Sequence, residues 1–134
     1  MKNMSDDEWA IFLKENRFLV GLSIDGPQEI NDFYRVTKGR KPTFEKVFAA
    51  AKLLHRYNVQ FNTLTCINRF NARKPLDVYR FLRNEVNSSF MQFIPIVEYK
   101  GFKRVAPHKW TVASKTANVM FQRIVGRYPA KLAI

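Results

Sequence analysis

The fold of this chain is decided by residues 19–27, which read LVGLSIDGP. The apolar run ends abruptly in Ser, Asp, Gly and Pro, so the pattern predicts a buried strand over Phe18–Ser23 followed by a turn. In parallel sheets and barrels, ligands bind at the carboxyl ends of the strands. Polar residues in this turn are therefore candidate site residues.

Helical and strand patterns alternate outward from this stretch. They predict a helix over Asp6–Asn16, opened by a Ser5/Glu8 capping box, and then the strand Phe18–Ser23. A loop over Gln28–Lys41, with one helical turn near Glu29–Phe33, leads to a helix over Pro42–Asn58 whose terminal Asn is left-handed. The remaining predicted elements are a strand over Gln60–Ile67, a loop over Asn68–Lys74, a helix over Pro75–Val86 and a strand over Phe90–Ile96. Strands that alternate with helices predict βα units, hence an α/β fold with a parallel sheet. Three strands leave such a sheet incomplete, so we expect the middle of a larger βα array.

Composition limits the class of protein. The chain has 134 residues, 46% of them hydrophobic, which is enough for one small domain or a piece of a larger one. No apolar run approaches the roughly 20 residues that span a bilayer, and the acidic N-terminus lacks the apolar segment of a signal peptide. The single cysteine, Cys66, cannot form an internal disulfide. We therefore expect a cytoplasmic protein with no membrane partner.

Charge is distributed unevenly along the chain. The net charge is +12, with −4 carried by residues 1–34 and +16 by residues 35–134. A basic surface of this size makes a small nucleic-acid-binding or interaction module the alternative interpretation. However, no run of four or more Lys or Arg occurs and no nucleic-acid motif is present, so we expect no specific nucleic-acid partner.

Several separated segments together indicate a family. They are Leu22–Pro27, Tyr34-Arg35, Thr43-Phe44, Phe61–Thr65 and Gln92–Pro95. In order and spacing, over roughly residues 4–110, they resemble the central part of the anaerobic sulfatase-maturating enzymes, which are radical SAM proteins with a SPASM-type C-terminal domain. The resemblance implies three βα units of a partial (β/α)6 radical SAM barrel. Residues 111–134, with four basic and no acidic side chains, lose the resemblance and are expected to form a divergent, poorly ordered basic tail.

The resemblance also implies a chemistry. Members of this family use a 4Fe-4S cluster to cleave S-adenosylmethionine, and the resulting radical oxidises a Cys or Ser of a sulfatase polypeptide to Cα-formylglycine. This chain has no CxxxCxxC motif, no auxiliary-cluster cysteines and no position for the family's catalytic aspartate. A cluster needs three or four thiolate ligands. We therefore interpret the chain as an internal fragment that is inactive alone, binds neither cofactor stably by itself and has no metal site.

Three residues carry the expected cofactor contacts. Ser23 and Arg35 match positions that contact S-adenosylmethionine in the family, and the backbone of Val97 matches one that meets the adenine. Arg is suited to this role because its planar guanidinium pairs with a carboxylate in a fork. Considered without the resemblance, Ser23 is a turn-initiating hydroxyl and Arg35 a solvated loop charge.

Other residues leave alternatives open. Asp25 either serves the turn or faces the cavity, Cys66 is expected to be a small buried hydrophobe, and Asn68 and Asn71 either contact a peptide substrate or cap their loop. The periodicity predicts that one aromatic set packs in the core, comprising Phe12, Phe18, Phe44, Phe48, Phe61, Phe81, Phe90 and Phe93.

Overall fold

The computed structural model describes residues 3–96, 99–100 and 103–104. Val97 and the tail predicted for residues 111–134 lie outside the described residues, and the domain boundary near residue 110 stays a prediction. Within the described part, no helix combines the length and apolar character needed to cross a bilayer.

The chain begins with helix α1, Asp6–Glu15, which ends one residue before the predicted Asn16. The predicted capping box is confirmed. The Ser5 hydroxyl accepts a hydrogen bond from the Glu8 amide at 3.2 Å, and the Glu8 carboxylate accepts one from the Ser5 amide at 2.7 Å. These bonds satisfy two amide groups that would otherwise lack partners at the start of the helix.

Three strands form a parallel sheet in the order β1-β2-β3, where β1 is Leu19–Ser23, β2 is Gln60–Ile67 and β3 is Phe90–Pro95. The bounds of β2 are those that the sequence predicts, and β1 and β3 are each one residue shorter. Two further short strands, β4 at Tyr99–Lys100 and β5 at Lys103–Arg104, form an antiparallel pair. The parallel sheet confirms the predicted α/β class.

Helices connect the parallel strands. Helix α2 spans Gln28–Tyr34, α3 spans Phe44–Arg56 and α4 spans Pro75–Asn84, with a single 3-10 turn at Asn71–Arg73 before α4. Helix α2 is longer than the one turn predicted near Glu29–Phe33. These helices are the crossover connections that the predicted βαβ units require between neighbouring parallel strands.

Helix α3 begins two residues later than predicted from Pro42. The cause is a cap from outside the helix, since the Asp32 carboxylate accepts hydrogen bonds from the amides of Thr43 at 3.0 Å and Phe44 at 2.9 Å. A carboxylate at a helix N-terminus also interacts favourably with the helix dipole. After the helix, Asn58 takes a φ of 54°, which confirms the predicted left-handed residue.

The core lies between the helices and one face of the sheet. Alternate residues of β2, namely Thr63, Thr65 and Ile67, are fully buried on that face. Helix α4 contributes Val78 and Leu82, which are also fully buried. Burying a side chain of this size stabilises the fold by about 1.5–3 kcal/mol.

The prediction that the aromatic set packs in the core is wrong for three of its members. Phe12, Phe18 and Phe90 are 40%, 50% and 57% exposed. Helix α1 buries only Ala10, so Phe12 and Phe18 contact each other at a ring-centroid distance of 6.0 Å outside the core. Phe90 points away from the helices because its neighbour Met91 occupies the buried face of β3.

The other aromatic residues do belong to the core. Phe44 and Phe48 stack at 5.3 Å between ring centroids, and Phe81 lies 5.8 Å from the first and 5.9 Å from the second. Phe61 and Phe93 are partly buried against the same cluster. Helical periodicity therefore identified correctly the aromatic residues that join α3 to α4.

Candidate functional site

The three parallel strands end side by side, and their carboxyl ends form one edge of the sheet. On the face opposite the helices, the strand register aligns Ser23 of β1 with Leu64 of β2 and Gln92 of β3. Ser23 and Gln92 are exposed, and Leu64 is half-buried. Two residues further along each strand, Asp25 follows β1 and lies beside Cys66 of β2. Polar groups from all three strands therefore meet at this edge.

A buried carboxylate is the centre of the edge. The Asp25 side chain is 4% exposed, and its Oδ2 lies 2.8 Å from Nε of Arg35, whose side chain is 27% exposed. The N–H of Nε is not aligned on that oxygen, so the contact is an ion pair without a linear hydrogen bond. Oδ1 of Asp25 accepts a hydrogen bond from the Cys66 amide at 2.9 Å. Asp25 thereby joins β1, β2 and the Arg35 guanidinium.

The backbone of Asp25 is held by two buried asparagines. Its amide donates to Oδ1 of Asn31 at 3.2 Å. Its carbonyl accepts from Nδ2 of Asn71 at 3.1 Å, and the same Asn71 amide group donates to the Cys66 carbonyl at 2.8 Å. A buried backbone whose amide and carbonyl are both hydrogen-bonded is held in one arrangement. The bonds from Asn31 and Asn71 therefore fix the backbone from which the Asp25 carboxylate projects.

The alternatives for Asn68 and Asn71 are settled in favour of loop capping. Asn68 is 1% exposed and Asn71 0%. The Asn71 side chain accepts from the Asn68 amide at 2.9 Å, and the Asn68 side chain accepts from the amides of Phe70 and Asn71 at 2.9 Å each. Because these side-chain oxygens are used inside the loop, the two asparagines shape the loop after β2.

Arg35 reaches the edge because α2 ends at the preceding residue. The Arg35 amide donates to the Asn31 carbonyl at 3.0 Å, and the Arg35 carbonyl accepts from the Thr43 hydroxyl at 2.7 Å. A backbone bridge between Val36 and Pro42 closes the loop that follows. The Arg35 backbone is therefore as well anchored as that of Asp25, and it is not the solvated loop charge of the simplest interpretation.

Cys66 lies within this charged cluster, not in an apolar pocket. Its Sγ accepts from an Nη of Arg35 at 3.5 Å. Burial raises the pKa of the Cys66 thiol, the Asp25 charge raises that pKa further, and Arg35 opposes both. The thiol is half-buried and favoured in its neutral form, so it is suited to packing and weak hydrogen bonding.

The structure brings two of the three predicted contact residues to one edge. Ser23 ends β1 with an exposed side chain. Arg35 lies beside Asp25, and Asp25 follows Ser23 by two residues in the chain. Val97 lies outside the described residues. The Asp25–Arg35 pair was not predicted from the sequence, although the position of Asp25 directly after a buried strand was a signal for a site residue there.

The residues at the edge suit an organic ligand with a carboxylate better than a metal cluster. Ser23 offers an exposed hydroxyl, and Arg35 offers a partly exposed planar fork of N–H donors. Within residues 3–96, no group of three or more His, Cys, Asp or Glu side chains could hold a metal ion. The described residues therefore offer hydrogen-bond donors for a carboxylate, and they do not offer the three or four thiolates that a 4Fe-4S cluster needs.

The chain is similar to several known proteins. No protein-family model matches it. It is 49% identical over 92 residues to a serine-type anaerobic sulfatase-maturating enzyme of Bacteroides thetaiotaomicron, covering 69% of this chain and 22% of the relative. It is 41% identical over 93 residues to a cysteine-type enzyme of Clostridium novyi and 44% identical over 100 residues to one of Clostridium perfringens. It covers 25% and 27% of these two relatives, which in turn match 69% and 72% of this chain.

Solved structures agree with the sequence relatives. Native anSMEcpe with bound AdoMet and the Cp18Cys peptide matches with a TM-score of 0.78 and 35% identity, covering 92% of this chain and 34% of that one. Native anSMEcpe with bound AdoMet matches with a TM-score of 0.79, also at 35% identity, covering 94% and 34%. The predicted resemblance is thus confirmed. The chain belongs to the family of the anaerobic sulfatase-maturating enzymes, and it spans about a quarter of the length of the curated relatives it matches.

Proposed function

We propose that the described residues form part of the barrel wall of a sulfatase-maturating enzyme and bind the amino-acid end of AdoMet. The observation that carries the proposal is the partly exposed Arg35 guanidinium, held against Asp25 at the carboxyl edge of the parallel sheet, where β1 ends with the exposed side chain of Ser23. The proposal is supported by the solved structures similar to this chain, which contain bound AdoMet.

Each residue has a distinct part in this proposal. Arg35 pairs with the ligand carboxylate through its remaining N–H donors, and the Ser23 hydroxyl forms a hydrogen bond to the ribose or the amino-acid part. Val97 lies outside the described residues, and the contact of its backbone with the adenine is proposed from the resemblance alone. When bound in the complete enzyme, AdoMet supplies the hydrogen-abstracting chemistry that converts a sulfatase Cys or Ser into formylglycine.

The 4Fe-4S cluster is proposed to be held by other parts of the complete enzyme. The 134 residues contain one cysteine, and Cys66 is already engaged with Arg35. A sulfatase polypeptide is the proposed substrate of that enzyme, and the solved neighbour that binds the Cp18Cys peptide supports this assignment.

The experiment is a ligand titration of the 134-residue chain. Saturation-transfer NMR with AdoMet is expected to give weak, saturable binding, with a dissociation constant on the order of 1 mM, or about −4 kcal/mol. Arg35→Gln and Ser23→Ala are expected to weaken it. Arg56→Gln is the matched control. Arg56 is exposed in the last turn of α3, and this turn lies at the amino-terminal edge of the sheet, opposite the candidate site.

A second ligand separates the carboxylate contact from other contacts. Methylthioadenosine keeps the adenosine and lacks the amino-acid part, so Arg35→Gln should leave its binding unchanged. Binding of AdoMet that is insensitive to Arg35→Gln, or no binding by the unaltered chain, would contradict the proposal.

A further inference from the structure

The Arg35 guanidinium is paired before any ligand arrives. Its Nε lies 2.8 Å from Oδ2 of Asp25, and one Nη lies 3.5 Å from Sγ of Cys66. The side chain nevertheless remains 27% exposed. An arginine has five N–H donors in a rigid plane, so fixing one side of that plane determines where the remaining donors point.

Asp25 is able to act as that fixed support. Its carboxylate is nearly inaccessible, its Oδ1 accepts from the Cys66 amide, and its own backbone is bonded to Asn31 and Asn71. A buried carboxylate without a cationic partner is costly, so the Asp25 charge strongly favours the conformations in which Arg35 stays beside it.

The pair has a consequence for ligand recognition. Asp25 and Arg35 together carry no net charge, so their combined field attracts a carboxylate only weakly at a distance. Recognition of a carboxylate must then depend on the direction of the free N–H donors. An arginine that is already ordered also loses less conformational freedom when the ligand binds.

We propose that Asp25 is a positioning residue: it orients the Arg35 guanidinium for the carboxylate of a ligand at the carboxyl edge of the sheet. The identity of that ligand as AdoMet rests on the proposed function. The positioning role itself concerns two side chains of this chain and can be measured without a ligand.

The two simple views of this pair predict opposite outcomes for Asp25→Asn. Removal of the Asp25 charge makes the edge more positive, so an effect of net charge alone would tighten carboxylate binding. Loss of orientation would weaken it by roughly three- to tenfold. Asn keeps an acceptor oxygen for the Cys66 amide, so the variant changes charge more than shape.

The first measurement is the ¹⁵N NMR resonance of Arg35 Nε–H in the 134-residue chain. In the unaltered chain we expect a sharp, exchange-protected signal, and in Asp25→Asn an unprotected, motionally averaged one. Glu29→Gln is the control, because Glu29 is an exposed carboxylate in the first turn of α2, at the same edge. An Arg35 signal that is unchanged in Asp25→Asn would overturn the proposal.

The second measurement compares two ligands. Asp25→Asn should weaken AdoMet binding and leave methylthioadenosine binding unchanged, whereas equal or tighter AdoMet binding would overturn the proposal. If Asp25→Asn does not fold, Asp25→Glu displaces the charge by one methylene, and the same resonance and affinity ratio decide. No AdoMet binding by the unaltered chain would contradict the proposed function, while the Arg35 resonance would still decide the positioning role.

Discussion

Substitution of Gly26 is the sharpest test of the geometry at the candidate site. Gly26 is buried directly after Asp25 and takes a φ of 146°, a conformation that residues with a Cβ rarely adopt. A Cβ at this position would lie 3.0 Å from Cγ2 and 3.2 Å from Cβ of Ile30, and 3.3 Å from Cγ2 of Val78. Since one of these atoms is a Cβ, rotation of the Ile30 side chain cannot relieve the contact.

The expected cost of Gly26→Ala follows from two separate terms. A residue held in a sparsely populated backbone region costs about 1–3 kcal/mol. An extra methyl group in a well-packed core costs about 1–3 kcal/mol. We therefore expect the free energy of unfolding to fall by roughly 2–6 kcal/mol, a large part of the 5–15 kcal/mol typical of a domain.

Urea denaturation followed by circular dichroism measures this change. Gly39→Ala is the matched control, because Gly39 is exposed and a Cβ there meets only Oγ1 of Thr37, at 3.8 Å. We expect the control to change the free energy of unfolding by less than about 1 kcal/mol. The reasoning would be refuted if Gly26→Ala changed it by less than about 0.5 kcal/mol, or no more than the control.

Three further predictions concern Asn71, the Cys66 thiol and the basic residues of the chain. Asn71→Ala removes the amide that bonds the carbonyls of Asp25 and Cys66, so urea denaturation should show about 2–4 kcal/mol less stability, and a change below about 0.5 kcal/mol would contradict this. Because burial and the Asp25 charge raise the pKa of Cys66, its alkylation by iodoacetamide at mildly alkaline pH should be slower than that of a free thiol. Asp25→Asn should lower that pKa and speed alkylation, whereas Arg35→Gln should raise it and slow the reaction; the reverse order would refute the assignment. For the basic residues 35–134, fluorescence anisotropy should detect only sequence-independent oligonucleotide binding, with dissociation constants on the order of 10⁻⁴ to 10⁻⁶ M that weaken as salt rises, and a clear sequence preference would favour the nucleic-acid module instead.

Local patterns in the sequence were sufficient to predict the three parallel strands, the three longer helices and their order, but not the full length of α2, the 3-10 turn or the short strands β4 and β5. The Ser5 capping box, the left-handed Asn58 and the bounds of Gln60–Ile67 depend on residues within a few positions of one another. Alternation of these strands with helices predicts a parallel sheet, because parallel neighbours need a helical crossover between them. The segment Leu22–Pro27 and its companions also indicated the family that the relatives confirm.

Periodicity was less reliable for deciding which apolar residues are buried. Phe12 follows the helical period of α1 and Phe18 begins an apolar run, yet both side chains are exposed and α1 buries only Ala10 among its residues. Phe90 belongs to a nearly continuous apolar strand, and such a strand carries no signal for which face the helices cover. Burial depends on the elements that pack on each face, and this is a property of the tertiary structure.

The candidate site was decided by contacts between residues far apart in the chain. Asp25 pairs with Arg35, ten positions along, bonds the Cys66 amide 41 positions along, and receives the Asn71 amide 46 positions along. No local period relates these residues, because strand ends and loops bring them together only after the parallel sheet has formed. The sequence determined the elements and their order, whereas only the tertiary structure decided that a buried carboxylate would hold the arginine at the edge of the sheet.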